Sequence, residues 1–310
     1  MSQALTVLWK VLTMMIFMLP GFVGRKVNIV KEDHIKAFTN LLLYLCTPFM
    51  IVSTFLKMDR DFSQLLLIGL FFVIFLAIQA LAFLILGIIT RRKKEDVEAR
   101  ILCIQSICGN VGYIGLPLLS MLYPEEPIIV CYACMAMVSM NILLFTVGAY
   151  FVSGDRKYVS LRSAFINPAT LGFIVALPLY LLGMNRIFPD FVLTATESIG
   201  NICGPLSMII LGIRLASSSF KAVFCNWKAY LAAAVKLLIF PLFTFALIYF
   251  IPLPTSMRSA LIILSAVPSA SAGLGVAELH GKGMQLAANA LLISTLLCFI
   301  TLPLITLLLL

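Results

Sequence analysis

The chain is built from apolar runs long enough to cross a bilayer, separated by short connections in which Lys and Arg cluster. A spanning helix needs about 20 mostly apolar residues. In hydrocarbon every backbone N–H and C=O has to be satisfied inside the segment, which makes the helix the natural spanning element for such runs. The runs predict ten spans, near 5–23, 38–56, 64–90, 101–122, 127–150, 165–183, 195–214, 229–251, 257–277 and 284–308. They consume most of the 310 residues and leave no room for a soluble domain. The expected fold class is an all-α polytopic membrane protein. Only 11% of residues are charged, against about 25% in a soluble domain. That excludes a soluble enzyme, a disordered chain and a disulfide-stapled module. A net charge of +9 does not mark a nucleic-acid binder here, because the basic residues lie between apolar runs. The first run carries Lys10 at its middle and lacks a small-x-small cleavage site, so it reads as a retained span rather than a signal peptide.

Cytoplasmic loops are enriched in Lys and Arg. Odd-numbered loops, with their helix ends, hold sixteen: Arg25, Lys26, Lys31, Lys36, Arg91, Arg92, Lys93, Lys94, Arg100, Arg156, Lys157, Arg162, Arg214, Lys221, Lys228 and Lys282. Even-numbered loops hold four, Lys57, Arg60, Arg186 and Arg258. The expectation is a multi-pass protein of the plasma membrane with both termini outside.

The two halves repeat. At an offset of 157, Cys46-Thr47-Pro48-Phe49 falls on Cys203-Gly204-Pro205-Leu206; at 158, Arg100 falls on Arg258 and Gly115 on Gly273. Five spans per half is odd, so residues 153–310 run through the membrane inverted relative to residues 1–152. Inverted repeats are a signature of secondary transporters. Span 4 is interrupted by Cys108-Gly109-Asn110-Val111-Gly112-Tyr113-Ile114-Gly115-Leu116-Pro117, and span 9 by Val267-Pro268-Ser269-Ala270-Ser271-Ala272-Gly273. Gly and Pro weaken a helix interior, and paired breaks in two repeats point to a binding site near the midplane. Half-helix N-termini carry free N–H groups and partial positive charge, which suits a carboxylate. Candidate substrate contacts are therefore Gly109, Asn110, Gly112, Pro268, Ser269 and Ser271, with Gly115, Pro117, Gly273, Pro48 and Pro205 as hinges or helix breaks.

These residues carry a resemblance. GNVGYIGLPLL in span 4, Asn167-Pro168 opening span 6, CGPLSMIILGIRLA in span 7, and VPSASAGLGVAELHGKG running into ISTLLCFITLP resemble the auxin efflux carrier family. So does PGFVGRKVNIV near the start, and the order holds along the whole chain. The likeness is to its short bacterial members, the malonate or organic-acid permeases; the large hydrophilic loop of long plant members is absent. The resemblance implies a scaffold of spans 1, 2, 6 and 7, which would also form a homodimer face. It implies a transport domain of spans 3–5 and 8–10, with spans 4 and 9 crossing at the substrate. It carries the crossing role onto Asn110 and Pro268, and a site-lining role onto Asn141.

Other polar residues lie within spans. Lys236 is about eight residues inside span 8, where an unpaired charge costs about 2.5–3.5 kcal/mol or more. It is read either as snorkelling to the interface or as a counter-charge to an anion or to an acidic side chain. Glu197 opens span 7 and is read as a helix-dipole partner or a proton-coupling acid. Lys10, Gln79, Gln105 and Asn289 read as structural, and Glu278 and His280 as a solvated helix end. Cys131-x-x-Cys134 reads as two small hydrophobes on a membrane helix. No metal or cofactor is expected. The leading expectation is a secondary or facilitative carrier of a small organic anion, working by alternating access. A sodium-coupled carrier of the bile-acid type would want an acid near the crossing, and none is there. A membrane sensor or scaffold would want an output domain. An intramembrane enzyme would want a nucleophile or metal constellation, which the sequence does not carry.

Overall fold

A computed structural model describes residues 3–31, 33–90, 96–153, 157, 159–166, 168–217, 226–281 and 283–309. Arg91 to Lys94, Arg156, Asn167, Lys221, Cys225 and Lys282 lie outside the described residues, as does the side chain of His280. The regular elements among the described residues are helices. Seven are long and apolar enough to cross a membrane: α1 (Gln3–Lys26), α2 (His34–Lys57), α3 (Phe62–Ile89), α6 (Ile128–Val152), α8 (Asp190–Ser217), α9 (Trp227–Ile248) and α12 (Met284–Leu309). The shorter ones are α4 (Val97–Ile107), α5 (Val111–Leu122), α7 (Pro168–Leu182), α10 (Thr255–Ala266) and α11 (Ser271–His280).

Several boundaries differ from the sequence expectation. α1 runs through Pro20 and Gly21 to Lys26 instead of stopping near them. The missing Pro20 N–H is tolerated within a membrane helix, and Gly21 has a packing use. α2 begins at His34 rather than near 38; its first turn carries exposed His34 and Lys36 and does not continue the apolar run. α8 begins at Asp190, an acid placed in the first turn where it favours the helix dipole.

Close backbone approach holds the helices in register. A Cβ on Gly21 would land on the Ile209 carbonyl, and one on Gly212 on the Met18 carbonyl, so α1 and α8 touch main chain to main chain. Gly172 of α7 sits against Pro48 and Ile51, and Gly200 of α8 against the Met50 backbone. Small residues at such points are how membrane helices gain van der Waals contact. α6 is the central helix: 83% of its most apolar window is buried, against 28% for α1 and α3. The exposed faces of the outer helices carry large apolar side chains such as Ile16, Leu66, Ile88 and Leu307, as a lipid-facing surface requires. Buried amides bond between helices, although the Gln105 Oε1 atom has no partner. Ser139 donates to Gln79 at 2.9 Å, and Gln105 donates to the Ala287 carbonyl at 3.3 Å. Cys131 and Cys134 are fully buried on α6, where Cys131 meets the Met58 sulfur at 3.6 Å.

Candidate functional site: the 108–110 and 267–270 crossing and its cavity

Helical hydrogen bonding stops after Ile107 and resumes at Val111; it stops again after Ala266 and resumes at Ser271. The two extended stretches pair with each other. Asn110 N–H donates to the Pro268 carbonyl at 2.7 Å, and Ala270 N–H donates to the Cys108 carbonyl at 2.8 Å, so that Gly109 and Ser269 form an antiparallel bridge. Main-chain groups that would otherwise be orphaned in a membrane interior are thus satisfied. The interruption is narrower than the glycine spacing suggests. Gly112 and Gly115 lie inside a widened helical turn, Val111–Gly115, whose Ile114 and Gly115 N–H groups both reach the Asn110 carbonyl. Turns of this π type recur at functional sites.

The glycines are explained by proximity. A Cβ on Gly109 would meet Val267 Cγ2 at 2.8 Å, one on Gly115 would meet Leu264 Cδ2 at 2.8 Å, and one on Gly273 would meet Gln105 Nε2 at 3.1 Å. Ser269 is fully buried behind the crossing. Its hydroxyl donates to the Gln105 carbonyl at 2.7 Å, and its N–H donates to Ser294 Oγ at 3.0 Å.

A cavity of about 560 Å³ opens on one side of this crossing. Both restarted helices present their first turns to it: Asn110 and Val111 from α5, Ala270 and Ser271 from α11. Gly109, Gly112 and Asn141 also line it. Five of the seven expected substrate contacts therefore share one wall system. Pro268 and Ser269 are the other two, and they do not line it; they serve the crossing's internal hydrogen bonds. Asn110 and Asn141 are 5% and 8% exposed, so each keeps an accessible edge. Sequence reasoning missed Tyr113, Met137, Met140 and Arg214, which line the cavity too. Arg214 had been counted as an orientation charge because it lies near a helix end.

Lys236 lies against the crossing at Gly109 but is not among the residues that line the cavity. It is 0% exposed, on a widened turn of α9, and its ammonium donates to the Ser265 carbonyl in the last turn of α10. The same Nζ lies 3.3 Å from where a Gly109 Cβ would be, and 4.7 Å from the Phe240 ring centroid. Snorkelling is thereby excluded. The acceptor of the ammonium is a main-chain carbonyl and not an acidic side chain, and the C-terminal ends of α4 and α10, which carry partial negative charge, both lie beside it.

Glu197 is remote from the crossing. It accepts from Lys57 at 2.6 Å, both side chains being substantially exposed, so the pair contributes little to stability, about 0–1 kcal/mol. A second cavity of about 410 Å³ is lined there by Lys57, Tyr123, Glu197 and Pro205. Pro117 is buried in the first turn of the helix Leu116–Leu122, beside Gly204; Pro48 opens the lower half of α2. A third, larger groove of about 880 Å³ between α1 and α12 is lined by Leu, Ile, Met, Phe and Pro side chains. It offers no polar side chain to an anion.

Apolar helices of spanning length around a cavity at an interrupted helix pair fit a multi-pass membrane protein. The chain belongs to the membrane transport protein family: the family model of that description matches residues 6–306, which bears out the auxin efflux carrier resemblance read from its motifs. It is also 27% identical over 290 residues to an uncharacterized transporter of Methanocaldococcus jannaschii, covering 92% of this chain and 93% of that one.

Proposed function

We infer that the protein is a secondary carrier of a small organic anion, a carboxylate, which binds at the crossing and moves by alternating access. One observation carries the reading. The N-terminal first turns of α5 and α11 face a single cavity, while the opposite ends of α4 and α10 face the buried Lys236. Helix polarity is thus sorted, with partial positive charge toward the cavity and partial negative charge toward the ammonium. A carboxylate in the cavity meets two helix N-termini and the Asn110 amide.

The fold reading is ten spans in two inverted repeats, 1–152 and 153–310, with α4–α5 and α10–α11 as the interrupted fourth and ninth. Reciprocal packing supports it: Gly115 rests on Leu264 and Gly273 on Gln105. The scaffold is then α1, α2, α7 and α8, and the transport domain the rest, with the close α1–α8 contact inside the scaffold. Alternating access is supported by the cavities at the two ends of α5, Asn110 at one and Tyr123 at the other. At 1.5 Å per residue these ends are about 18–20 Å apart. The orientation puts the Arg214 cavity on the cytoplasmic side of a plasma membrane. Uptake of labelled carboxylic acids into proteoliposomes tests the reading. Accumulation above protein-free vesicles is expected for at least one acid. No uptake of any acid, in either direction of gradient, would overturn it.

A further inference from the structure

We propose that Lys236 fills a monovalent-cation site built into the crossing. Its amino group takes the place, at the C-terminal ends of α4 and α10, that a free Na⁺, K⁺ or small ammonium ion would otherwise take, and the carrier needs no such ion to work. The site stands on the crossing alone; its consequence for transport rests on the carrier reading above.

The last four carbonyls of a helix have no partner within it, and N–H groups just past the end commonly turn back to serve them. Past α10 those donors are committed elsewhere. Pro268 has no N–H. Ser269 N–H donates to Ser294 Oγ at 3.0 Å, and Ala270 N–H donates to the Cys108 carbonyl at 2.8 Å. The pairing that joins the two interrupted helices thus removes donors that could close one of them. The Ser265 carbonyl, in the last turn of α10, accepts from Lys236 instead. α4 ends differently: Cys108 N–H turns back to the Ile104 carbonyl at 2.9 Å, and the Gln105 carbonyl accepts from the Ser269 hydroxyl at 2.7 Å.

The surroundings of the amino group suit a small cation. The Ser265 carbonyl accepts from it, the Phe240 ring centroid is 4.7 Å away, and a Cβ on Gly109 would come within 3.3 Å. Carbonyls at half-helix C-termini are the groups with which carriers built on interrupted helices coordinate a coupling cation, and an aromatic face attracts one too. A divalent metal would want carboxylates or imidazoles. Among the described residues no group of three or more His, Cys, Asp or Glu is placed to hold a metal. The nitrogen is tethered to α9, so it serves the helix ends whatever salt surrounds the protein. At the sequence offset of 157, Lys236 falls on Gln79. That residue is also buried, but its amide oxygen accepts from Ser139 of α6 at 2.9 Å, which makes it a control away from the crossing.

The test uses full-length protein in nanodiscs, in chloride salts of Na⁺, K⁺, methylammonium, propylammonium and N-methylglucamine at equal ionic strength. Wild type is expected to melt at the same temperature in every salt. In proteoliposomes it should take up its acid equally with Na⁺, K⁺ or N-methylglucamine on both sides. Lys236→Ala should melt about 5 °C lower in N-methylglucamine, which is too bulky to enter. It should recover at least half of that loss with one or more of the smaller cations, rising with the logarithm of concentration as a single binding site requires. Lys236→Met keeps the space filled and Gln79→Ala truncates a side chain elsewhere, so neither should recover. Lys236→Ser carries the same test if Lys236→Ala does not accumulate. The site is overturned if no small cation restores the truncated variant, or if Lys236→Met or Gln79→Ala is restored equally. Wild-type uptake that requires Na⁺ or K⁺ also overturns the proposal, with no variant needed. Wild type that takes up no acid in any salt overturns the carrier reading, and the melting series then decides the site by itself.

Discussion

Lys236 and Ser265 lie 29 positions apart in the chain, and the ammonium of the first donates to the main-chain carbonyl of the second, both residues being fully buried. The bond joins α9 to the last turn of α10, beside the point where α4 also ends. The amino group thus faces two helix C-termini, each with partial negative charge. A charge this deep is costly to bury, and the carbonyls facing it are what offset the cost.

Replacing the ammonium by an apolar side chain of similar length removes that answer. Lys236→Met should destabilise the protein by about 1.5–3 kcal/mol, the range for a hydrogen bond to a charged group. The readout is the thermal midpoint in detergent, with Lys236→Glu failing to accumulate because it sets a like charge on the helix ends. A Lys236→Met protein as stable as wild type would mean the carbonyls are served some other way.

Asn110 sits where α5 restarts, with its side chain at the cavity. Asn110→Ala should weaken binding of a transported acid about ten- to a hundredfold, since a charge-assisted hydrogen bond of about 1.5–3 kcal/mol is lost. Its thermal stability should stay near wild type. Asn110→Asp should bind worse still, because it faces the anion with a like charge. Unchanged affinity in Asn110→Ala would move the site toward Asn141.

The α1–α8 contact leaves no space for a side chain at Gly21 or Gly212. Gly212→Val should cost 3 kcal/mol or more, beyond the usual range of about 1–3 kcal/mol for overpacking, because the obstruction is main chain and cannot change rotamer. Size-exclusion profiles should show aggregated or absent protein. A monodisperse Gly212→Val variant would show that the helices can part without penalty.

Orientation is tested with a reporter active only in the cytoplasm. Fused after Lys94 it should be active, and fused after Leu310 inactive, as the Lys and Arg distribution requires. The opposite pattern would reverse the inside and outside of both cavities.

Much of this was legible in the residues. Gly/Pro clusters located the two places where helices stop, since few other features weaken a helix so strongly. Which side of the crossing each residue faces was not legible. Ser271 reaches the cavity and Ser269, two residues earlier, is locked behind it by Gln105 and Ser294, a distinction made by partners from distant segments. Lys236 stood out as an intramembrane charge, but its acceptor is a main-chain carbonyl, and every residue has one. Arg214 was masked by its position near a helix end, where Lys and Arg are expected on topological grounds alone. Its place on the cavity wall and beside the Tyr113 ring comes from packing between distant segments.

The pairing of Asn110 with Pro268 and of Ala270 with Cys108 is made entirely by main-chain atoms. The pairing itself therefore does not depend on the side chains that line the cavity. Side chains at 110, 113, 270 and 271 can be exchanged while the chassis stays as it is. A protein constructed this way can take a ligand of new chemistry through a few replacements around the cavity, without disturbing the hydrogen bonds that join the two interrupted helices.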